Sequence, residues 1–312
     1  MAPPVPIPAD VAAWLLAAFG TCNRRVATVV SNAPTTHEVP LDMTFIQSFL
    51  DISAPHRFDS GWTVQISTHY LGGGRHWAEF DDWPRKWEIA DIGLLVLFRQ
   101  GGKLLRSKVA LLQSKRLYAD ELDWDEDSPI DYMSGFSRLY QPEETWSQVL
   151  QPRQFSFADS SRYQALRIGD HQYGAIRGYE EQRHIPVYYL LYNPLQIPST
   201  TLVPLTPGRD PIDDACTVGC RVVPARDLRQ VRHGGQDGSS PTYGELASSI
   251  TSPFEKAPSQ AGWRLEEFVV NLLLECDTGY IAEGPNDNGL NYIFNRRSGP
   301  ISAALAVTLD AP

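Results

Sequence analysis

Residues 87–118 read WEIADIGLLVLFRQGGKLLRSKVALLQSKRLY. Two apolar runs, 90–98 and 104–115, flank Gly101-Gly102, a dipeptide suited to closing a hairpin. The first run is nearly continuous, as in a strand covered on both faces. Its partner ends in Gln113-Ser114-Lys115. Side chains of a strand alternate faces, so Gln113 and Lys115 share a face with Val109 and Leu111, whereas Arg106, Lys108, Ser114 and Arg116 point the other way. Two polar groups ending an apolar face belong at a sheet edge or in a cleft, because burying them unpaired costs about 1–3 kcal/mol each.

Asp91 opens the first run, and its position relative to Gln113 depends on the turn. A two-residue turn pairs Gln100 with Lys103 and sets Asp91 opposite Leu112, on the wrong face. A three-residue loop over 101–103 sets Asp91 opposite Gln113. Bulges accompany such loops and recur beside active sites. A shared site therefore requires a bulge or bend between Asp91 and Gln113.

Working outward, Leu41, Phe45, Ile46, Phe49 and Leu50 have helical spacing, which predicts a helix over 41–51. Alternation of Trp62, Val64 and Ile66 with polar residues predicts a strand over 62–71, ended by Gly72–Gly74. An irregular insertion follows the hairpin at 117–157 and opens with the acidic run 120–131. Helices are expected over 160–166 and 170–182, and a strand over 186–192. Beyond residue 194, prolines at 198, 204, 207 and 211 mark a crossing. A strand over 216–223, a short helix over 225–231, a loop over 234–241, a helix over 263–276 and a terminal strand over 301–309 complete the reading. Asp10 is read as the cap of a short docking helix within residues 1–30, whose apolar stretch is too short to span a bilayer. No other segment reaches transmembrane length.

The chain has 312 residues, a net charge of −10 and four cysteines. That length buries a substantial core. The acidic balance excludes a simple nucleic-acid coat but not an enzyme with a local basic surface. Four cysteines are too few for a disulfide scaffold and fit a reducing cytoplasm. Cys216 and Cys220 lack the further ligands that structural zinc needs. Asp123, Asp125 and Asp127 imitate a calcium loop, but Ser128 stands where that loop needs Gly. Gly72–Gly74 has no following Gly-Lys-Ser/Thr, and His69 and His76 have no triad partners.

A carboxylate, an amide oxygen and an ammonium at one sheet corner suit Mg²⁺ or Mn²⁺ and phosphodiester cleavage. Asp91, Gln113 and a backbone carbonyl such as that of Ser114 are oxygen donors of the kind Mg²⁺ takes. A metal-bound water is more acidic than a free one. Lys115 is placed to orient that water or stabilise charge developing on phosphorus. The neutral Gln113 leaves room for another acid. Glu38 extends the buried stripe of the first helix and is the best candidate, although a glutamate in a first turn is also favoured by the helix dipole. Glu79 and Glu88 are alternatives. Arg99, Lys103, Arg106, Lys108 and Arg116 form either a phosphate-binding rim or a solvated flank. Arg221, Arg226, Arg229 and Arg232 form a second basic cluster. The acidic run is either a solvated loop or a lid that competes with DNA.

These residues resemble the PD-(D/E)XK, or restriction-endonuclease-like, nuclease superfamily. Its members have an acid opening the second core strand and acid-x-Lys on the third. The match runs over roughly residues 38–194 through Asp91, Gln113-Ser114-Lys115 and Glu38, with Gln113 in place of the usual acid and Ala90 in place of a preceding Pro. The resemblance implies an α/β fold with a restriction-endonuclease-like core of helix, three-strand meander, helices and strand. That core would span residues 31–196, with an α+β extension over 197–312 packed on it. It also implies a Mg²⁺- or Mn²⁺-dependent endonuclease with Glu38, Asp91, Gln113 and Lys115 as catalytic residues. Asp91, Gln113 and Glu38 would hold the metal. The substrate would be DNA or, by the same chemistry, RNA, and the setting bacterial phage defence, with a protein activator or partner. The rival expectations are an inactive nucleic-acid-binding or regulatory protein on the same fold, and a protein–protein adaptor subunit of a defence complex.

Overall fold

The computed structural model describes residues 2–70, 78–80, 83–87, 89–121, 153–203, 215–231, 240–250, 262–282, 284, 286–294 and 300–312. Several sequence features lie outside the described residues: the acidic run beyond Glu121, Gly72–Gly74, His76, Glu88, Arg232, the proline-rich stretch 204–211, most of the loop 234–241 and the side chain of Glu79.

The strands are β1 (His56–Arg57), β2 (Thr63–Tyr70), β3 (Ala78–Phe80), β4 (Trp83–Trp87), β5 (Ile92–Gln100), β6 (Lys103–Arg116), β7 (Asp120–Glu121), β8 (Arg153–Phe157), β9 (Val187–Tyr192), β10 (Ser199–Val203), β11 (Arg221–Pro224), β12 (Trp263–Arg264), β13 (Tyr280–Ala282) and β14 (Ala303–Ala311). The helices are α1 (Ala9–Asn32), α2 (Glu38–Gln47), α3 (His171–Arg183), α4 (Tyr243–Ser249), α5 (Leu265–Glu267), which continues as a π-helical stretch (Phe268–Leu274), and α6 (Asn288–Phe294).

The main sheet is mixed, with strand order β1-β2-β14-β5-β6-β9-β11-β12, and β13 pairs with β6 beside the start of β9. The general α/β class therefore holds, but the expected three-strand meander does not. The terminal strand β14 inserts between β2 and β5, antiparallel to the first and parallel to the second. Both β5 and β14 are apolar enough to be interior strands. β14 is buried at every second residue (Ala303, Leu305, Val307, Leu309, Ala311), and it covers an edge of β5 that a meander would have given to β2. The C-terminal third contributes strands to the same sheet and side chains such as Val222, Leu265 and Leu305 to the same buried core.

Helices lie on both faces of the sheet. On one, α1 buries Val11, Leu15, Phe19, Cys22, Val26 and Val30 along one stripe, and Phe49, just after α2, packs against both Phe45 of α2 and Phe19 of α1. Phe268 meets Tyr188 there, with ring centroids 4.9 Å apart. On the other, Tyr179 of α3 packs on Tyr292 of α6, and Phe294 and Ile301 fill the space over Gly93.

Some local expectations change. α1 extends to Asn32, and Asp10 sits in its first turn, with Pro8 at the cap position. No helix forms over 160–166; Arg162 instead bridges Tyr118 and Thr242 as extended chain, and Tyr163 is pinned by its hydroxyl to Asn193 Oδ1 at 2.6 Å. The helix expected from residue 263 begins at Leu265, because Trp263 and Arg264 pair with β11. Asp170 caps α3 by accepting a hydrogen bond from the Tyr173 amide. Among the described residues no helix is long and apolar enough to cross a membrane.

Candidate active site

The hairpin turn is the two-residue form. Gly101 and Gly102 have φ of 53° and 79°, the left-handed values that such a turn requires at both positions, and Gln100 pairs with Lys103. A three-residue loop is therefore absent. The parity is corrected two residues past Lys103: Arg99 pairs with Leu104, and Phe98 pairs with Arg106. Leu105 is the extra residue of a bulge. From there the register runs to Ile92 opposite Leu112, which brings Asp91 level with Gln113.

β6 outruns β5 at this end. Beyond Leu112 it keeps β9 on one side, through to Arg116 opposite Tyr192. On the other side its backbone is met by side chains. Asp91 Oδ2 accepts hydrogen bonds from the Ser114 amide (2.7 Å), Ser114 Oγ (2.8 Å) and Gln113 Nε2 (2.5 Å). Glu38 Oε1 lies 3.4 Å from the next outward-facing amide, that of Arg116. The N–H and C=O of one strand residue point to the same edge, so the Ser114 carbonyl faces this open edge too.

Two residues absent from the sequence-based set complete the cluster. Asp42 is buried on α2, one turn after Glu38. Its Oδ2 is 3.1 Å from Ser114 Oγ, and its Oδ1 accepts a hydrogen bond from the Tyr192 hydroxyl at 2.6 Å. Burial, and then the charge of Asp91, push the Asp42 carboxyl well above the usual carboxylate range; hydrogen bonds from Tyr192 and Ser114 oppose the shift. Burial and the neighbouring Asp42 likewise raise the Tyr192 hydroxyl. A signal for Asp42 existed in its i+4 spacing from Glu38 on the face that carries Phe45 and Phe49. For Tyr192, the last residue of an apolar strand, there was none.

Gln113 and Lys115 are buried, with 3% and 7% exposure. Gln113 Oε1 is a buried acceptor with no hydrogen-bond partner. Such an orphan needs a reason, and a cation beside Asp91 would supply one. The donor set of carboxylate, amide oxygen and backbone carbonyl is all oxygen, as Mg²⁺ or Mn²⁺ requires. The residues thus fit a hard divalent ion. No group of three or more His, Cys, Asp or Glu among the described residues could hold a metal, so such a site would lean on the amide and the carbonyl. All four cysteines are free thiols.

The basic rim does not assemble around these groups. Lys103 and Arg106 lie twelve and nine residues before Lys115 on the same strand, roughly 30–40 Å away at 3.3 Å per residue. Arg99 is at the same tip and bonds the Gly102 carbonyl; Arg106 bonds the Ala2 carbonyl. Lys108 is fully buried, its ammonium bonded to the carbonyls of Leu273 and Thr278 at the end of the π-helical stretch. Arg116 is also buried. It donates to the Pro34 carbonyl and stacks 3.7 Å from the Tyr118 ring centroid. Neither is available to phosphate. Arg221 is engaged by the carbonyls of Val218, Thr217 and Gly262, whereas Arg226 and Arg229 are exposed on one side of a short 3₁₀ helix. The sequence marks cations but not the carbonyl-rich helix ends and turns that capture them.

No protein-family model matches this chain, and no match is found among curated proteins or solved structures.

Proposed function

We propose that this chain is a metal-dependent nuclease that hydrolyses phosphodiester bonds, with DNA as substrate and Mg²⁺ or Mn²⁺ as cofactor. The observation that carries the reading is the buried, unpartnered Gln113 Oε1 on the side chain whose amide nitrogen contacts the Asp91 carboxylate. Asp91, Gln113 and the Ser114 carbonyl would hold the ion, with Glu38 next along the same edge. When bound, the ion makes a coordinated water more acidic and offsets phosphate charge. Lys115, on the same face as Gln113, supplies a positive charge and hydrogen-bond donors for the oxygens of the pentavalent phosphorus. Apolar packing on both faces of β6 keeps that charge in a low-dielectric setting, where it counts for more. The free thiols support a reducing, cytoplasmic setting, and defence against phage is the role we assign.

A second reading is a nucleic-acid-binding protein with an inactive site. It is favoured by the Gln113 amide nitrogen, which already satisfies Asp91. Plasmid cleavage with Mg²⁺ or Mn²⁺ separates the two. The nuclease reading expects cleavage by wild type that is lost in Asp91→Ala and Lys115→Ala. Cleavage that survives both substitutions removes the site, and salt-dependent DNA binding without cleavage selects the second reading.

A further inference from the structure

Asp91 Oδ2 takes three donors, two of them from Ser114. Ser114 therefore supplies two of the donors that orient this oxygen. The Ser114 hydroxyl in turn lies between two carboxylates, 2.8 Å from Asp91 and 3.1 Å from Asp42. A hydroxyl has one hydrogen. It donates to one carboxylate oxygen at a time, so a single hydroxyl is shared between the two acids. Tyr192 holds the other Asp42 oxygen at 2.6 Å. Tyr192, Asp42, Ser114 Oγ and Asp91 thus form one continuous chain of contacts. Its members come from β9, α2 and β6 and converge on the residue preceding β5.

As a device for stability alone this is a poor choice. Two carboxylates close together in a buried site disfavour folding, and apolar side chains of similar volume would pack there at lower cost. Local cost of this kind is expected where a functional group must be held in one orientation.

We propose that Asp42 is a positioning residue of the site: clamped by Tyr192, it fixes the Ser114 hydroxyl and, through it, the Asp91 carboxylate. The proposal rests on the reading of Asp91 as the central acid of the site. Asp42 acts by hydrogen bonding and not as a ligand or a base. An asparagine offers the same two contacts, its oxygen toward Tyr192 and its amide toward Ser114. A leucine fills the volume and offers neither.

The test is amide hydrogen exchange at Ser114 in metal-free protein, measured by NMR, beside Mn²⁺-dependent cleavage. Asp42→Leu is expected to speed Ser114 exchange at least tenfold while Val109 and Leu111 stay as in wild type. Asp42→Asn stays within about threefold. Tyr192→Phe, which removes the clamp from the other side, speeds the same amide and serves if Asp42→Leu does not fold. In cleavage, Asp42→Leu raises the Mn²⁺ concentration for half-maximal rate by about 10–100-fold, the usual effect of losing an outer partner, and Asp42→Asn restores it. Unchanged Ser114 exchange in Asp42→Leu and Tyr192→Phe overturns the proposal. So does Asp42→Asn behaving like Asp42→Leu, or an even rise across α2 and β6, which marks a merely structural role. A wild type that neither cleaves nor binds Mn²⁺ sinks the nuclease reading, while the exchange data still decide the positioning.

Discussion

Replacing Gln113 by glutamate tests the centre of the site directly. Gln113 Nε2 is 2.5 Å from Asp91 Oδ2. Gln113→Glu exchanges that donor for a second carboxylate at hydrogen-bond distance, in a place with 3% exposure. Two ionised carboxylates there repel strongly, so the introduced group takes up a proton instead. For a glutamate of reference pKa about 4.3, holding a proton at pH 7 costs about 2.7 units at 1.36 kcal/mol each, or about 3.7 kcal/mol. The protonated acid can again donate to Asp91, so this figure is a ceiling. Its folded pKa is raised above the unfolded value. The loss of stability is therefore absent below about pH 4 and grows by about 1.4 kcal/mol per unit as pH rises toward the raised pKa. At pH 7 it corresponds to roughly 6–8 °C in Tm at about 2 °C per kcal/mol. A divalent ion reverses the balance, since two carboxylates bind it better than one. At a hundredfold excess over Kd, Mn²⁺ returns about 2.7 kcal/mol. Thermal unfolding of wild type and variant at pH 5 and pH 7, with and without Mn²⁺, reads all of this. The expected pattern is a deficit at pH 7 that shrinks at pH 5 and shrinks with Mn²⁺, together with faster cleavage. A variant equal to wild type at pH 7 would refute the contact between Gln113 and Asp91. A deficit that Mn²⁺ does not touch would refute the cation site.

Three further outcomes follow from the same geometry. Arg116→Ala should cost on the order of 2–3 kcal/mol in urea unfolding, through the lost Pro34 hydrogen bond and Tyr118 stacking, with no change in the salt dependence of DNA binding. A salt slope lower by about one with unchanged stability would return this arginine to the phosphate surface. Burial lowers the Lys108 ammonium to about 8, so between about pH 8 and its usual value of 10.5 the unfolded chain holds more proton than the folded one, and this group's contribution to stability rises with pH. Lys108→Met should lack that rise, seen as a difference between wild-type and variant urea midpoints at pH 7.5 and pH 10; parallel curves would show that the lysine is solvated. Deleting Leu105, which is exposed and opposes no partner, should leave a regular hairpin with Asp91 still level with Gln113, stability within about 1 kcal/mol and cleavage retained. A folded deletion variant without cleavage would mean that the bulge does more than set register.

Much of the hairpin was legible because strand faces have period two and a parity argument can be closed by counting. Asp91 and Gln113 can meet only if one extra residue enters between them, and Leu105 is that residue. The order of the sheet was not legible in the same way. The sequences of β2, β5 and β14 each say that a strand will form, and that β5 needs cover on both faces. Nothing in an apolar run names its neighbour. β14 lies some two hundred residues after β5, yet pairs with it along its whole length because an apolar strand edge is costly to leave open. The basic residues failed for a related reason. Lys108 and Arg116 alternate with apolar neighbours on a strand that is buried on both faces from Ser107 onward, so their stems follow the core and their charges end on backbone carbonyls. Only a solvated strand face would have made them a rim.

The site's acids carry a different lesson. Reading the chain one element at a time finds acids that open a strand or begin a helix, as Asp91 and Glu38 do. Asp42 sits within a helix, next to Leu41 on the buried side, where a carboxylate is expected to be rare. That rarity is the informative part. A buried acid must have partners, and here they are a tyrosine at the end of β9 and a serine in the Gln-Ser-Lys motif. From sequence alone the middle residue of that motif offered only its backbone carbonyl. In this fold Ser114 contributes an amide and a hydroxyl to Asp91 and a contact to Asp42. A bulkier apolar residue at 114 would keep the strand and the amide but lose the hydroxyl, leaving two carboxylates facing one another with no group between them. The neutral Gln113 then acquires a physical rationale. With Asp42 and Asp91 already joined through one hydroxyl, a third acid at 113 would add repulsion that a proton or a bound cation must offset. An amide preserves the oxygen and spares the fold that cost.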